Sequence, residues 1–527
     1  MTGSDRRCGV LVPLFSAPSS RSWGCGDIGD IAPLTRWLSH GGQRLLQLLP
    51  LNEMAAGDCS PYSAMSASAI DPIYISLADV PEFVAAGGEA SLAAVDRQLL
   101  ADLRQSSRVP YGALRPLKLR VLTSAFERFV SNEWLPGTPR AASLAAYVQD
   151  EAWWLDSYAM FRVLHDREGG RVWLEWPDTF RQRDPDALAR LRTESWREML
   201  FYQYLQWTAS VQWVAARVAA RDAGVALFGD LPFMVDLHSA DVWANQESFH
   251  LDRSVGVPPD AFSATGQDWG MPAYNWDALQ ASGFGWLRDR ARRGAQLFDG
   301  YRVDHLVGFY RTYSRRRSDR EDARFVPLEQ LDQLRLGEHV LGLFRAAGSD
   351  VIAEDLGVIP DFVRASLALL GVPGFRVFRW ERAWNEHGQP FRDPTQYPVV
   401  SVATTGTHDT ETLAVWWDGA QEEERRAVLA IPSVRHLTQD ADLTWSPFNP
   451  RVRDALLETL CASASRIVIL PVQDVFGWYD RINQPATVNE ANWTYRLPWP
   501  VDRLDEQPEA RERQAALLAW STKYARL

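Results

Sequence analysis

Short apolar runs rich in Val, Ile, Leu and Phe recur along the chain, each closed by polar or glycine-containing sequence. Such runs read as strands buried on both faces, because a strand covered on both sides keeps no polar face to alternate with. Eight are predicted: Gly9 to Phe15, Arg44 to Leu51, Val225 to Pro232, Leu297 to His305, Asp350 to Glu354, Gly374 to Trp380, Pro398 to Thr405 and Arg466 to Pro471. Between several of them the apolar spacing shifts to 3.6 residues, at Ile31 to Leu38, Leu328 to Arg345 and Glu422 to Ile431, which predicts helices. Eight strands alternating with helices predict an α/β protein, and a closed (β/α)8 TIM barrel fits at least as well as an open sheet.

The runs are unevenly spaced. Residues 1–527 read as a single barrel, and the interval 52–223 is far too long for one connection, so it is expected to be an inserted helix-rich subdomain. A second insertion is expected at 236–295. It carries a segment from Gly256 to Trp276 whose Gly and Pro content marks a loop, either an ordinary surface loop or a lid over a site.

Composition narrows the function classes. The 527 residues are 46% hydrophobic and 23% charged, which excludes long disorder. A formal charge of −12 makes nucleic acid a poor partner. Lys118 and Lys523 are the only lysines and no Gly-Lys pair occurs, so a phosphate-binding loop with its lysine is absent. Cys8, Cys25, Cys59 and Cys461 show no CxxC spacing, which favours a reducing, cytoplasmic setting. The apolar run after Arg6 and Arg7 imitates a secretory signal but is short and broken by Pro13, so it reads as a strand. No stretch reaches the roughly 20 apolar residues of a membrane span.

In a (β/α) barrel the reacting groups sit at the carboxyl ends of the strands. Three runs finish in acid, at Asp304, at Glu354 and, in Thr407-His408-Asp409, at Asp409. Side chains alternate along a strand, so Arg302 and Asp304 share a side and the guanidinium makes the carboxylate an anchored anion. Three convergent carboxylates suit glycosyl transfer: one attacks the sugar, one protonates the leaving oxygen, and one steadies developing charge. The alternatives are weaker. Gly24-Cys-Gly26-Asp-Ile-Gly29 spells a dinucleotide fingerprint but stands eight residues beyond the strand it should follow closely. His305 and His408 adjoin acids, yet no HxH or HExxH spacing supports a metal site.

The chain resembles the 4-alpha-glucanotransferase (amylomaltase or disproportionating enzyme) family, glycoside hydrolase family 77, of the alpha-amylase clan. The resemblance is carried nearly end to end by Gln47-Leu-Leu-Pro-Leu51, Ser60-Pro-Tyr62, Gly229-Asp-Leu-Pro232, Ser239-Ala-Asp-Val-Trp243, Gly256-Val-Pro-Pro-Asp260, Thr265-Gly-Gln267 with Trp269-Gly270, Arg302-Val-Asp-His305, Glu354-Asp-Leu-Gly357, Gly406-Thr-His-Asp409 and Asn492-Trp493. The pattern departs from the family at His238 and Met271. The resemblance implies that Asp304 is the nucleophile, Glu354 the acid and later the base, and Asp409 the transition-state stabiliser. Substrate binding would fall to Arg302, His305, His408, Ser60, Tyr62, Gln267, Trp269, Asp260 and Asn483. It further implies no cofactor and no metal, and donors that are malto-oligosaccharides, amylose or glycogen-derived glucans. Glucose or maltose would be the acceptor, in a retaining double displacement by a monomer or homodimer. An α-amylase-like hydrolase and a non-catalytic glycan-binding barrel stay open on the residues alone.

Overall fold

The computed structural model describes residues 6–55, 57–259, 266–485, 487 and 489–527. In chain order its strands are β1 (Arg7–Leu11), β2 (Leu45–Gln47), β3 (Ala226–Leu231), β4 (Phe249–Val257), β5 (Gln267–Tyr274), β6 (Gly300–Val303), β7 (Thr312–Arg316), β8 (Asp319–Val326), β9 (Asp350–Ala353), β10 (Gly374–Val377), β11 (Ser401–Thr404) and β12 (Ile467–Pro471). Strands β1, β2, β3, β6, β9, β10, β11 and β12 close into a barrel in that order, every neighbouring pair parallel.

Seven of the eight apolar runs contain one barrel strand each, β1 begins two residues before its run, and most strands are shorter than the run that announces them. Arg44 to Leu51 pairs only over Leu45–Gln47, while Leu48, Leu49 and Leu51 stay buried beyond the ladder. An apolar run reports burial, and burial continues where strand pairing stops. The barrel interior is filled by unequal partners: a Cβ on Gly300 would stand 2.5 Å from the Phe228 ring, so the bare backbone of β6 makes room for that side chain.

Between β2 and β3 the chain builds helices, chief among them Tyr111–Phe129, Ala152–Arg167 and Trp196–Asp222. Aromatic residues of this region pack on one another and on Trp243 beyond β3: Phe161 lies 5.2 Å from Trp176, and Trp176 lies edge-on to Trp243 at 5.9 Å. Trp173, Trp176 and Trp213 are fully buried and satisfy their indole N–H groups on backbone carbonyls, which accounts for the aromatic density of this region as core.

The segment from Gly256 to Trp276 differs from its expected form. Most of its described residues are not loop: β4 and β5 pair antiparallel, and with β7 and β8 they form a second sheet in the order β5, β4, β7, β8. The glycine that suggested a loop serves close packing instead, since a Cβ on Gly256 would stand 1.9 Å from the carbonyl oxygen of Gln267 on the neighbouring strand. Two arginines of the Arg315-Arg316-Arg317 run tie this ribbon down, Arg315 to Asp268 and Arg317 to the carbonyl of Gly270 at 2.8 Å. Among the described residues no helix is long and apolar enough to cross a membrane.

Candidate active site

Asp304 follows β6 directly, and Glu354 follows β9 directly. These strands are parallel neighbours with Val303 opposite Ala353, so the two acids continue the same register at the carboxyl-end rim. The ladder persists past the strand ends through Glu354 N–H to the carbonyl of Val303 at 3.0 Å. Beneath them, Arg302 divides its guanidinium between two carboxylates. One terminal nitrogen donates to both oxygens of Asp230 on β3, at 2.8 and 2.7 Å, and the other reaches Asp304 at 2.7 Å. Arg302 and Asp230 are buried, whereas the Asp304 side chain is 31% exposed. A fixed cation below an open carboxylate leaves one face of Asp304 free toward the rim.

Glu354 is held from both sides by backbone. The N–H of His305 donates to one carboxyl oxygen and the N–H of Leu356 to the other, each at 2.8 Å. His305 presents its N–H from a left-handed conformation, φ 44°, which costs a non-glycine residue about 1 to 3 kcal/mol. Burial pushes Glu354 up to about 7. Arg302 and the two backbone donors pull the other way, and Asp304 adds to the rise. A carboxyl near 7 is matched to proton donation and return at neutral pH.

Asp409 approaches from the loop after β11. Its carboxylate meets His408 Nε2 at 3.3 Å and accepts from the side-chain amide of Asn483 at 2.6 Å, while Arg481 donates to its backbone carbonyl at 2.8 Å. Burial alone would raise Asp409, but His408 and Asn483 overcome it and hold the group at about 2. His408 rises in turn, its own burial outweighed by Asp409. Tyr62 stacks on His408, 5.2 Å between centroids and 19° between planes, and donates to Asp230 at 2.9 Å. One connected network thus runs from Asp409 through His408, Tyr62, Asp230 and Arg302 to Asp304.

The remaining predicted residues fall around this network. Trp269 on β5 is half-buried and edge-on to His305 at 4.9 Å, with its N–H on the side-chain oxygen of exposed Gln267 at 3.2 Å. His305 is half-buried, and desolvation lowers it to about 4, so its imidazole is neutral at neutral pH. Ser60 accepts from the N–H of Tyr62 at 3.4 Å. Asn483 is engaged with Asp409 and so supports an acid directly. Asp260 lies outside the described residues. Among the described residues no group of three His, Cys, Asp or Glu side chains stands in position to hold a metal ion.

Asp230 and Trp493 were not among the expected site residues. Asp230 lies near the end of the apolar run of β3, as Asp304 does in its run, and that placement was a usable signal. Trp493 leans on Tyr62 and His408, at 5.6 and 5.7 Å. Arg481 and the N–H of Leu356 left no mark in the sequence, because backbone direction and long-range contacts assign their roles.

A family model described as 4-alpha-glucanotransferase matches residues 12–502. The chain is 33% identical to a 4-alpha-glucanotransferase of Thermus thermophilus over 533 residues, covering 96% of this chain and 99% of that one. It is 30% identical to a 4-alpha-glucanotransferase of Chlamydia pneumoniae over 515 residues, covering 96% and 94%. The amylomaltase of Streptococcus agalactiae, solved in complex with acarbose, superposes with a TM-score of 0.82 at 27% identity over 99% of both chains. With a parallel barrel whose rim gathers three acids around a buried arginine, and with likeness across nearly its whole length, the chain belongs to the 4-alpha-glucanotransferase family, enzymes that transfer segments of alpha-1,4-glucan.

Proposed function

We propose that the transfer proceeds by retaining double displacement, with Asp304 as nucleophile, Glu354 as acid and base, and Asp409 as stabiliser of the oxocarbenium-like transition state. An Asp304 oxygen attacks the anomeric carbon of the donor. The bond from that carbon to the glycosidic oxygen breaks as Glu354 gives its proton to the departing sugar. The resulting ester removes the charge on Asp304 that had helped to raise Glu354, so Glu354, having given up its proton, stays an anion positioned to take the proton of the incoming 4-hydroxyl. The acceptor oxygen then displaces Asp304 and restores the enzyme.

The observation that carries this reading is the register of β6 and β9. Parallel strands lie about 4.8 Å apart, so acids continuing one register stand near the roughly 5 to 5.5 Å separation of a retaining pair. Arg302, His305, His408, Tyr62, Ser60, Gln267 and Trp269 line the approach as binding groups, with Trp269 offering an aromatic face to a sugar. The substrates on this reading are malto-oligosaccharides and amylose as donors, with glucose or maltose as acceptors.

Maltotriose is the direct test. The wild type should release glucose and build longer glucans, and Asp304→Asn should lose at least about 10⁴-fold in turnover. With α-maltotriosyl fluoride, whose leaving group needs no proton, Glu354→Gln should accumulate a glycosyl ester that mass spectrometry places on Asp304. An Asp304→Asn protein within tenfold of wild type, or an adduct on another residue, would overturn the assignment.

A further inference from the structure

Two exposed aromatic side chains stand on segments tied together by Asp418, and neither belongs to the network around Asp304. The Trp445 ring is 70% exposed and Tyr479 is 52% exposed. Both sit on well-anchored backbone. Arg425 donates to the carbonyls of Thr444 and Ser446 on either side of Trp445, at 3.2 and 3.4 Å, and the Trp417 indole donates to Ser446 at 3.0 Å. Asp418 joins the two segments: one oxygen takes the Tyr479 hydroxyl at 2.6 Å, and the other takes the N–H of Phe448 at 2.7 Å. Holding two large apolar faces in water against a rigid frame forgoes the gain of burying them, and such faces mark binding surfaces.

Position and chemistry together select the occupant. Tyr479 follows β12 by way of the short helix Val472–Phe476, and two residues later Arg481 donates to the backbone carbonyl of Asp409. Tyr479 is therefore two residues from a side chain that holds the third acid, and Asp418 ties the Trp445 segment to it. A glucan offers uncharged sugar rings whose C–H faces stack on indole and phenol, so it matches a shelf built of aromatic rings. We infer that Trp445 and Tyr479 form a docking shelf for an α-1,4-glucan chain extending beyond the reacting pocket on the Asp409 side. The inference rests on the family's action on alpha-1,4-glucans and on the site proposed above.

The shelf acts on long chains and leaves short ones alone. Trp445→Ala should raise KM for amylose about three- to tenfold with kcat unchanged, and leave kcat/KM for maltotriose within about twofold. Tyr479→Phe keeps the ring and should behave as wild type, whereas Tyr479→Ala should match Trp445→Ala. An equal effect on both substrates, or none on amylose, would overturn the shelf. Asp304→Asn assayed in parallel separates the two claims: an active Asp304→Asn condemns the catalytic assignment, while the chain-length effect of Trp445→Ala reports on the shelf by itself.

Discussion

At the scale of single residues, the site is organised by one buried cation. Arg302 sits between Asp230 and Asp304, and it donates two hydrogen bonds to the buried Asp230 carboxylate. Removing one partner of a buried pair leaves the other uncompensated. Asp230→Ala should therefore lower stability by about 3 kcal/mol in urea titration, and kcat/KM should fall at least tenfold as Arg302 and Tyr62 lose their anchor. Glu354 provides a second prediction. On the proposed mechanism it must carry a proton to cleave the donor, and it is raised to about 7, so kcat/KM should fall above neutral pH, approaching tenfold per unit. The charge on Asp304 contributes to that rise, so in Asp304→Asn the Glu354 carboxyl should titrate below 7, which carbon NMR of labelled glutamate would detect. An unmoved or higher value would mean that the two acids are not electrostatic neighbours.

At the scale of elements, the barrel and the outer sheet divide the work. Strands β6 and β9 place the two principal acids by register, whereas the β4 and β5 ribbon delivers Gln267 and Trp269 across a tight strand contact at Gly256. Gly256→Ala would force that ribbon apart at about 1 to 3 kcal/mol of strain. The expected result is a higher KM for maltotriose with far smaller loss in the turnover of saturated enzyme, since the acids lie on other strands. A drop in kcat with KM unchanged would show that the ribbon governs the acids themselves. The ribbon also shows where reading by composition fails: Gly and Pro signal a turn when the chain is considered locally, but a glycine demanded by a neighbouring strand looks the same in sequence.

At the scale of the whole molecule, the barrel closes where β1 meets β12, and a distant residue secures that seam. Arg526 is fully buried and donates to the carbonyls of Cys461, Ser463 and Arg466, at 2.6, 2.8 and 3.3 Å, just before β12 begins. Arg7 on β1 donates its N–H to the same Arg466 carbonyl at 2.9 Å. Arg526→Ala should lower the urea midpoint, at about 2 to 4 kcal/mol for the three lost hydrogen bonds at this seam, and leave kcat of the folded enzyme unchanged. Loss of kcat at full folding would connect the seam to the rim.

The eight barrel strands, the three acids that end strand-bearing segments and the pairing of Arg302 with Asp304 were all legible in order and spacing, because burial on both faces and two-residue alternation are local properties of a chain. Tertiary structure alone decided that Asp230 lies under Arg302 and that the N–H groups of His305 and Leu356 grip Glu354. It also decided that Asn483 serves Asp409 and that a glycine-rich stretch pairs into a sheet. Those outcomes depend on which distant segments become neighbours when the barrel closes, and a carboxylate's acidity depends on the burial and charges it meets there.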